Sequence, residues 1–373
     1  MEYDNRIIYG DNLEGLRYLL TELNLAGSVR LIYADPPYGT NQTFTITEDR
    51  QATISRARNG RIAYADKYSR KEYLEFLGRR LELMRELLAD DGSIYLHIDL
   101  KMGHYVKCLM DDVFGGDRFI NDITRVKCNP KNFQRKGYGN TKDIILFYSK
   151  TPEYVWNHPR EAIDIEKDPR FKNADKDGRR YTTTPLHAPG ETANGRTGRK
   201  WRGMLPPPGR HWRYPPDELD RLDDLGLIEW SSTGNPRKKI FADEVKRRGV
   251  KVQDVWVFKD PQNAIYPTEK NLSMLRRIVG ASSNEGDLVL DPFCGAGTTL
   301  KAAGVLDRRW IGIDASPIAV DLCRETLHDY DLIPLCADNA LSEAGSNERM
   351  GQEDSRTSTT KRLFRPPLRN IPG

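Results

Sequence analysis

The sequence contains few cysteines, five among 373 residues, and their spacing excludes two kinds of stabilised scaffold. No two of them show the short paired spacing of a zinc site, and their density is far below that of a disulfide-rich domain. They are Cys108, Cys128, Cys294, Cys323 and Cys336. The pattern indicates a reducing, cytoplasmic setting and no bound metal.

Long apolar segments are also missing. No run approaches the roughly eighteen residues of a membrane-spanning helix. Residues 1–6 lack the basic head and apolar core of a signal peptide. We therefore expect neither export nor a membrane partner.

An excess of one charge sign is nearly absent, since 58 lysines and arginines are balanced by 54 aspartates and glutamates. The resulting net charge of +4 permits a nucleic-acid partner without requiring one. The length exceeds that of one typical domain, so we expect a sizeable core plus a second module or a long insertion.

The most informative motif present is Asp35-Pro36-Pro37-Tyr38, which follows the apolar run 31–34. A carboxylate and a backbone carbonyl can accept the two N–H groups of an aromatic amine and draw its lone pair out of conjugation. The prolines have no backbone N–H that would compete for these acceptors, and the tyrosine ring could stack on an extruded base. We therefore predict that these four residues are catalytic in the methylation of a flat amine. The alternative is a strand that runs into a proline turn.

Short apolar runs alternate with helical patterns in the first 150 residues and predict buried strands of an α/β sheet. The runs are 7–9, 29–34, 93–98 and 144–148. Between the second and third runs, apolar residues at steps of three and four predict a crossover helix that stops at Asp91-Gly92. Residues 40–67 show little apolar periodicity, and we expect a long mobile loop there.

From about residue 151 to residue 258 the sequence is rich in proline, glycine, charge and isolated tryptophans, which predicts an inserted domain. Cations and aromatic residues are interleaved around residues 206–209, and both types suit contacts with DNA phosphates and bases. The residues predicted to bind DNA are Arg199, Lys200, Trp201, Arg202, Arg210, Trp212 and Arg213. For each of them singly, the alternative is a solvated basic face with the tryptophans in a small core.

A second motif runs from Asp291 to Thr299, between an apolar strand pattern and a helical one. Its Gly295 and Gly297 would let a ligand approach the backbone. The segment lacks the third glycine of a dinucleotide site and the lysine of a phosphate loop, so NAD and ATP are disfavoured. Asp314 ends the next strand, where an acidic residue binds ribose hydroxyls. The combination favours a nucleoside ligand without phosphates.

Taken together, these motifs resemble the S-adenosylmethionine-dependent DNA amino-methyltransferases of the permuted β group. In that group the Asp-Pro-Pro-Tyr half comes first, a target-recognition insertion second and the Phe-x-Gly-x-Gly half last. The resemblance covers residues 6–327 and implies a Rossmann-like methyltransferase fold with a seven-stranded, mostly parallel α/β sheet. It also implies S-adenosylmethionine as cofactor, bound by Asp11, Asp291, Phe293, Gly295, Gly297, Thr298 and Asp314.

Two assignments stay open within this resemblance. The segment 332–338 could also be a strand that ends in an acidic residue, so Asp338 competes with Asp11 for one cofactor position. We favour Asp11, whose segment precedes the catalytic strand by one crossover. Lys270 lies where the family more often has Gln-Lys-Pro, and its role is left open. His97 is expected to be structural.

The implied organisation is a catalytic half over residues 1–150, a target-recognition insertion over 151–258, a cofactor-binding half over 259–340 and a flexible tail over 341–373. The implied reaction is methylation of the 6-amino group of a flipped adenine in double-stranded DNA, by a restriction-modification or an orphan enzyme. The 4-amino group of cytosine is the alternative, although it goes more often with Ser at position 35. From another class, the chain could be a catalytically silent DNA-binding subunit. A homodimer and a separate restriction subunit are both left open.

Overall fold

The computed structural model describes residues 5–37, 68–130, 136–192, 194–261, 266 and 269–335, and the backbone of three strands between residues 42 and 66. In this part of the chain, no helix is long and apolar enough to cross a bilayer.

The described residues form eight α-helices and twenty β-strands, numbered in chain order. The helices are α1 (Asn12–Thr21), α2 (Arg70–Leu87), α3 (Gly103–Phe114), α4 (Pro216–Asp224), α5 (Ala242–Arg248), α6 (Leu272–Ser282), α7 (Thr298–Val305) and α8 (Pro317–Thr326). The strands are β1 (Asn5–Tyr9), β2 (Val29–Ala34), β3 (Gln42–Ile46), β4 (Ala52–Ile54), β5 (Arg61–Asp66), β6 (Leu88–Ile98), β7 (Phe119–Val126), β8 (Lys142–Ser149), β9 (Arg160–Glu161), β10 (Asn173–Ala174), β11 (Arg180–Pro185), β12 (His187–Pro189), β13 (Arg210–Trp212), β14 (Ile228–Trp230), β15 (Pro236–Phe241), β16 (Val250–Lys251), β17 (Val255–Val257), β18 (Leu288–Asp291), β19 (Arg309–Asp314) and β20 (Tyr330–Pro334).

The central sheet contains nine of these strands, in the order β17, β7, β8, β6, β2, β18, β19, β1 and β20. Strand β8 runs antiparallel to its neighbours β6 and β7, whereas the other neighbouring pairs are parallel. The mostly parallel α/β sheet is therefore confirmed. It has more strands than the seven expected, because β17 and β20 extend its two edges.

Helices cover both faces of the central sheet. Ile32 of β2 and Ile94 of β6 belong to one core cluster with Leu77 of α2. Tyr95, the neighbour of Ile94, points to the other face, where its hydroxyl lies 2.8 Å from Ser282 Oγ at the end of α6. Because both faces are buried, these strands are continuous apolar runs and lack an alternation with polar residues.

Helix α2 begins at a capping box and ends earlier than expected. The Ser69 side chain accepts a hydrogen bond from the Glu72 N–H, and the Glu72 carboxylate accepts one from the Ser69 N–H. Leu88 is already extended, and it pairs with Val29 of β2. The prediction that the helix continues to Asp91-Gly92 is therefore wrong, because strand pairing overrides the helical pattern there.

The segment 40–67 contains three strands, so the prediction of a long loop is also wrong. Strand β3 pairs with both β4 and β5 in an antiparallel sheet. In the Gln-Thr-Phe-Thr-Ile sequence of β3, three of the five residues are β-branched, but the threonines among them carry no apolar signal.

The insertion folds into small antiparallel sheets of its own. Strands β10, β11, β15 and β14 form a four-stranded sheet, while β12 pairs with β13 and β9 with β16. Strand β17, which lies within residues 151–258, belongs to the central sheet instead. The structure therefore ends the insertion before Val255.

Candidate active site

The Asp35 motif and the glycine motif meet at one edge of the central sheet. Strands β2 and β18 are parallel neighbours, with Ile32 paired to Leu290. The carboxyl ends of parallel neighbours lie at the same edge, so Asp35 and Asp291 leave the sheet side by side. Two motifs that the whole insertion separates in sequence thus form one site.

Asp35 is half-buried, and its Oδ2 accepts a hydrogen bond from Lys270 Nζ in an ion pair. Lys270 is only 8% exposed, so the pair is shielded from water and fixes the direction of the carboxylate. Pro36 is buried and Pro37 half-buried. Tyr38 lies outside the described residues.

The start of helix α6 brings Lys270 to Asp35. The adjacent Asn271 caps this helix by accepting hydrogen bonds from the N–H groups of Ser273 and Met274. Lys270 therefore occupies a fixed position directly before the cap. The ion pair joins residues 235 positions apart, and no local pattern in the sequence indicates such a contact.

The glycine turn after β18 requires glycine at two positions. Gly295 and Gly297 have φ values of +52° and +78°, in the region that favours glycine. A Cβ at Gly297 would lie 2.9 Å from both Cys323 Sγ and Leu327 Cδ1. Gly297 also caps α7, which starts at Thr298. No larger residue fits Gly297 without movement of its neighbours.

Asp314 holds this glycine turn in place. Its Oδ2 accepts a hydrogen bond from the Gly295 N–H at 2.8 Å, and its Oδ1 accepts one from the Ser316 N–H at 2.8 Å. Burial raises the pKa of Asp314 despite these bonds. A carboxylate has about four acceptor positions, so ribose hydroxyls could share this group with the two amides.

Asp291 lies between these carboxylates and is 2% exposed. Its Oδ1 accepts a hydrogen bond from the Phe293 N–H at 3.0 Å. Burial raises the pKa of Asp291 to about 7, and the negative charges of Asp35 and Asp314 add to this rise. Asp291 therefore holds a proton more readily than a carboxyl group in water does.

Asp11 lies at the neighbouring strand end, as expected from the favoured assignment. Strand β1 pairs with β19, and Tyr9 is the register partner of Asp314. The Asp11 side chain caps α1 by accepting a hydrogen bond from the Leu13 N–H, and it forms an ion pair of 3.0 Å with Arg80. The competing Asp338 lies outside the described residues.

The site borders a pocket that is partly open to solvent. Its wall includes Tyr33, Asp35, Lys270, Asp291, Gly295 and Thr298. The carboxylates, the backbone of the glycine turn and the apolar sides of Tyr266 and Leu275 suit the mixed surface of a nucleoside. Gly295 is in close contact with Tyr266, since a Cβ there would lie 3.3 Å from the ring. These residues fit a nucleoside cofactor.

A buried polar chain runs from the pocket into the sheet. The Tyr33 hydroxyl lies 2.8 Å from His97 Nδ1, and His97 Nε2 lies 3.1 Å from Asp143 Oδ1. Burial would raise the pKa of Asp143, but His97, Arg125 and Lys127 outweigh it and lower that pKa. We expected His97 to be structural, but the sequence did not indicate this chain, which becomes visible only once β2, β6 and β8 are adjacent.

Two of the predicted DNA contacts are core residues of the insertion. Trp201 and Trp212 are 1% and 2% exposed, and their rings meet edge to face at 5.9 Å. Trp201 Nε1 donates a hydrogen bond to Asp220, and Trp212 Nε1 donates one to the Arg199 carbonyl. The prediction that these rings stack on bases is therefore corrected, because burial leaves neither face accessible. Both tryptophans instead belong to a small core, as the alternative interpretation of the sequence proposed.

The predicted cations, by contrast, are exposed. Arg199, Lys200, Arg210 and Arg213 all have exposed side chains, whereas Arg202 is paired with Asp223. Within the described part of the chain, Arg199 and Lys200 have no carboxylate partner. Partial burial lowers the pKa of His187, and the positive charges of Arg210, Arg213 and Arg237 lower it further. Positive charge is therefore concentrated around the paired strands β12 and β13.

The chain is similar to several known proteins. A family model described as DNA methylase matches residues 29–325. The Type II methyltransferase M.EcaI of Enterobacter cloacae is 47% identical over 322 residues, which cover 84% of this chain and 67% of that protein. The Type III restriction-modification enzyme StyLTI Mod subunit of Salmonella typhimurium is 25% identical over 337 residues, and the chain spans 50% of its length. A solved M1.HpyAVI–SAM complex is 18% identical with a TM-score of 0.42, over 86% of this chain and 100% of that one.

The sheet, the glycine turn and the pocket define a Rossmann-like methyltransferase. The family match and the M.EcaI similarity are more specific: the chain belongs to the DNA methylase family of S-adenosylmethionine-dependent amino-methyltransferases. The resemblance seen in the sequence is thereby confirmed, and S-adenosylmethionine is the cofactor of this family.

Proposed function

We propose that this chain methylates the 6-amino group of an adenine flipped out of duplex DNA at a specific site. The observation that carries the proposal is the meeting of Asp35, after β2, with the glycine turn of Gly295 and Gly297, after β18, in one pocket. The acceptor for the amine and the binding surface for the cofactor thus share a wall.

The residues of the Asp35 motif orient the amine. Asp35 and the Pro36 carbonyl accept its two N–H groups, which turns the nitrogen lone pair away from the ring. The cofactor, when bound, supplies a methyl group on a positively charged sulfur that departs as a neutral thioether. As the nitrogen–carbon bond forms, the nitrogen becomes positive, and the Asp35 carboxylate stabilises that charge. The surplus proton then passes to water.

The choice of adenine rests on Asp35 itself, because cytosine-directed members of the family more often have Ser at this position. The 4-amino group of cytosine has the same two N–H donors and is the second candidate. The cofactor roles of Asp11, Asp291, Phe293, Gly295, Gly297, Thr298 and Asp314 are part of the same proposal.

DNA would be held by the exposed cations of the insertion, namely Arg199, Lys200, Arg210 and Arg213. M.EcaI is a Type II methyltransferase and StyLTI Mod is a subunit of a restriction-modification enzyme. By analogy, we place this chain in restriction-modification, with a separate restriction subunit as a partner.

The experiment compares the wild type with Asp35→Ala. DNA from cells that express each protein is sequenced for modified bases, and cofactor binding to each purified protein is measured by calorimetry. We expect N6-methyladenine at one sequence motif with the wild type, none with the variant, and similar cofactor affinity for both.

Three results would contradict parts of the proposal. N4-methylcytosine in place of N6-methyladenine would reassign the base. Loss of cofactor binding together with transfer in Asp35→Ala would contradict the role of Asp35. A wild type that binds DNA but never methylates it would make the chain a silent DNA-binding subunit.

A further inference from the structure

The segment between Trp201 and Arg210 carries one exposed leucine between two tight turns. In the first turn, Trp201 and Met204 exchange two backbone hydrogen bonds of 2.9 Å. The two residues between them, Arg202 and Gly203, have φ values of +45° and +78°. Positive φ at both central positions is the signature of a type I′ turn, which reverses the chain sharply.

The second turn follows directly. The Arg210 N–H donates a 3.0 Å hydrogen bond to the Pro207 carbonyl, and Gly209 has a φ of +74°. Proline followed by glycine at the two central positions is the preferred sequence of a type II turn. The Gly209 N–H also donates to Glu191 Oε1 at 2.9 Å. Residues 204–209, the apolar turn, are thus held at both ends and stiffened by three prolines.

This stiff segment presents Leu205 outwards. Leu205 is 59% exposed, whereas the neighbouring Met204 packs on the core cluster of Trp201 and Trp212. The turn therefore has a rigid foundation and an apolar tip. Little conformational entropy is lost when such a tip binds.

The charges on either side identify the binding partner. Arg199 and Lys200 precede the tip, and Arg210 and Arg213 follow it, all with exposed side chains. A single apolar group flanked by cations matches a polyanion with an apolar interior, which is the arrangement of phosphates and stacked bases in duplex DNA. Proteins that enter DNA grooves use leucine and proline for contacts with bases and cations for the phosphates.

We propose that the apolar turn enters a groove of the DNA, where Leu205 packs against base pairs and contributes to the choice of target sequence. The inference rests on the proposed function, since it takes DNA as the substrate. Arg199, Lys200, Arg210 and Arg213 contact the backbone, and Leu205 contacts the bases.

The experiment separates base contacts from phosphate contacts by their dependence on salt. Binding is measured by fluorescence anisotropy over a series of salt concentrations, on a duplex that contains the site methylated by the wild type and on an equally long duplex without it. The variants are Leu205→Ala, Leu205→Met and Lys200→Ala. The matched control is Leu225→Ala, because Leu225 is 57% exposed in the same insertion but follows Asp223 and Asp224.

We expect Leu205→Ala to weaken binding to the site-containing duplex about tenfold, without a change in the salt dependence or in binding to the other duplex. Leu205→Met should retain wild-type affinity. Lys200→Ala should weaken binding to both duplexes and reduce the slope of log K against log salt by about 1. Leu225→Ala should behave as the wild type.

Wild-type affinity of Leu205→Ala for the site, or an equal loss in Leu225→Ala, would overturn the inference. A loss of equal size on both duplexes would also overturn it, because Leu205 would then not read the sequence. If the wild type methylates DNA in these cases, the proposed function stands and only the role of Leu205 fails. A wild type that neither binds nor methylates DNA would overturn both.

Discussion

At the scale of single residues, the pocket brings three carboxyl groups close together, and each is accommodated by different contacts. Asp35 is paired with Lys270, Asp314 accepts two backbone N–H groups, and Asp291 has a pKa raised to about 7. Nearby like charges and burial both disfavour the ionised form, whereas an ion pair and hydrogen bonds favour it. The three groups therefore lie at one edge of the sheet in three different local environments.

Substitution of Lys270 tests the ion pair with Asp35. We expect Lys270→Met to slow methyl transfer about tenfold or more, because the carboxylate that orients the amine loses its fixed direction. Cofactor affinity should change little. Single-turnover kinetics and calorimetry measure the two quantities, with Lys301→Met, an exposed change on α7, as the control. An unchanged transfer rate would show that Asp35 is oriented by other contacts.

The raised pKa of Asp291 predicts a dependence of stability on pH. Between about pH 4 and pH 7 the unfolded chain ionises this group while the folded protein keeps its proton, so stability falls as pH rises and levels off above the folded pKa. The loss is on the order of 4 kcal/mol at most. Asp291→Asn has no such group, so the variant should gain stability relative to the wild type over this interval.

Urea unfolding of the cofactor-free proteins at about pH 5 and about pH 8 measures this difference. Parallel stability curves for wild type and Asp291→Asn would mean that Asp291 is ionised in both states.

At the scale of elements, the connection from β18 to α7 joins fold and chemistry in one turn. Its strand, glycine turn and helix were predictable from the sequence, because an apolar run, two glycines and a helical pattern follow each other within a few residues. The contacts of Gly297 with Cys323 and Leu327 were not, since helix α8 supplies the first of these and its C-cap the second.

Gly297→Ala tests how closely that turn is packed. The added methyl group would meet Cys323 Sγ and Leu327 Cδ1 at 2.9 Å, so we expect a loss of roughly 1–3 kcal/mol from overpacking and weaker cofactor binding. The control is Gly286→Ala, which has a similar φ of +79° but no atom within 4 Å of the new Cβ. It should show the backbone cost alone, with unchanged cofactor affinity. Equal losses of stability and of cofactor affinity in both variants would show that the close neighbours of Gly297 do not matter.

Other elements show why sequence patterns mislead. Trp201 and Trp212 stand among cations in the sequence, yet the hydrogen bonds and packing of the insertion place them inside. Charged residues next to a tryptophan in the sequence indicate that the surface is near. They do not reveal whether the ring points towards solvent or into the core. Strands β3 to β5 were missed for another reason, because each has at most six residues, too few for an apolar period to stand out from the polar residues around them.

At the scale of the whole molecule, the sequence was sufficient for the class of fold and for the two motifs of the pocket. The apolar runs 7–9, 29–34, 93–98 and 144–148 all lie within strands of the central sheet. The order of strands could not be derived from these runs, since it depends on pairings between distant segments. The ion pair between Lys270 and Asp35 and the chain from Tyr33 to Asp143 went unrecognised for the same reason.

The adjacency of β2 and β18 also has a consequence for synthesis of the protein. Strand β2 ends at Ala34 and β18 begins at Leu288, so at ~5–20 residues per second the ribosome needs on the order of ten seconds or more to supply the second strand after the first. During that delay one edge of β2 has no neighbour, and its free N–H and C=O groups can pair with other chains. The free edge of β2 is therefore open to aggregation in the nascent chain until another segment or a chaperone shields it. When β18 pairs with β2, the sheet and the pocket are completed together.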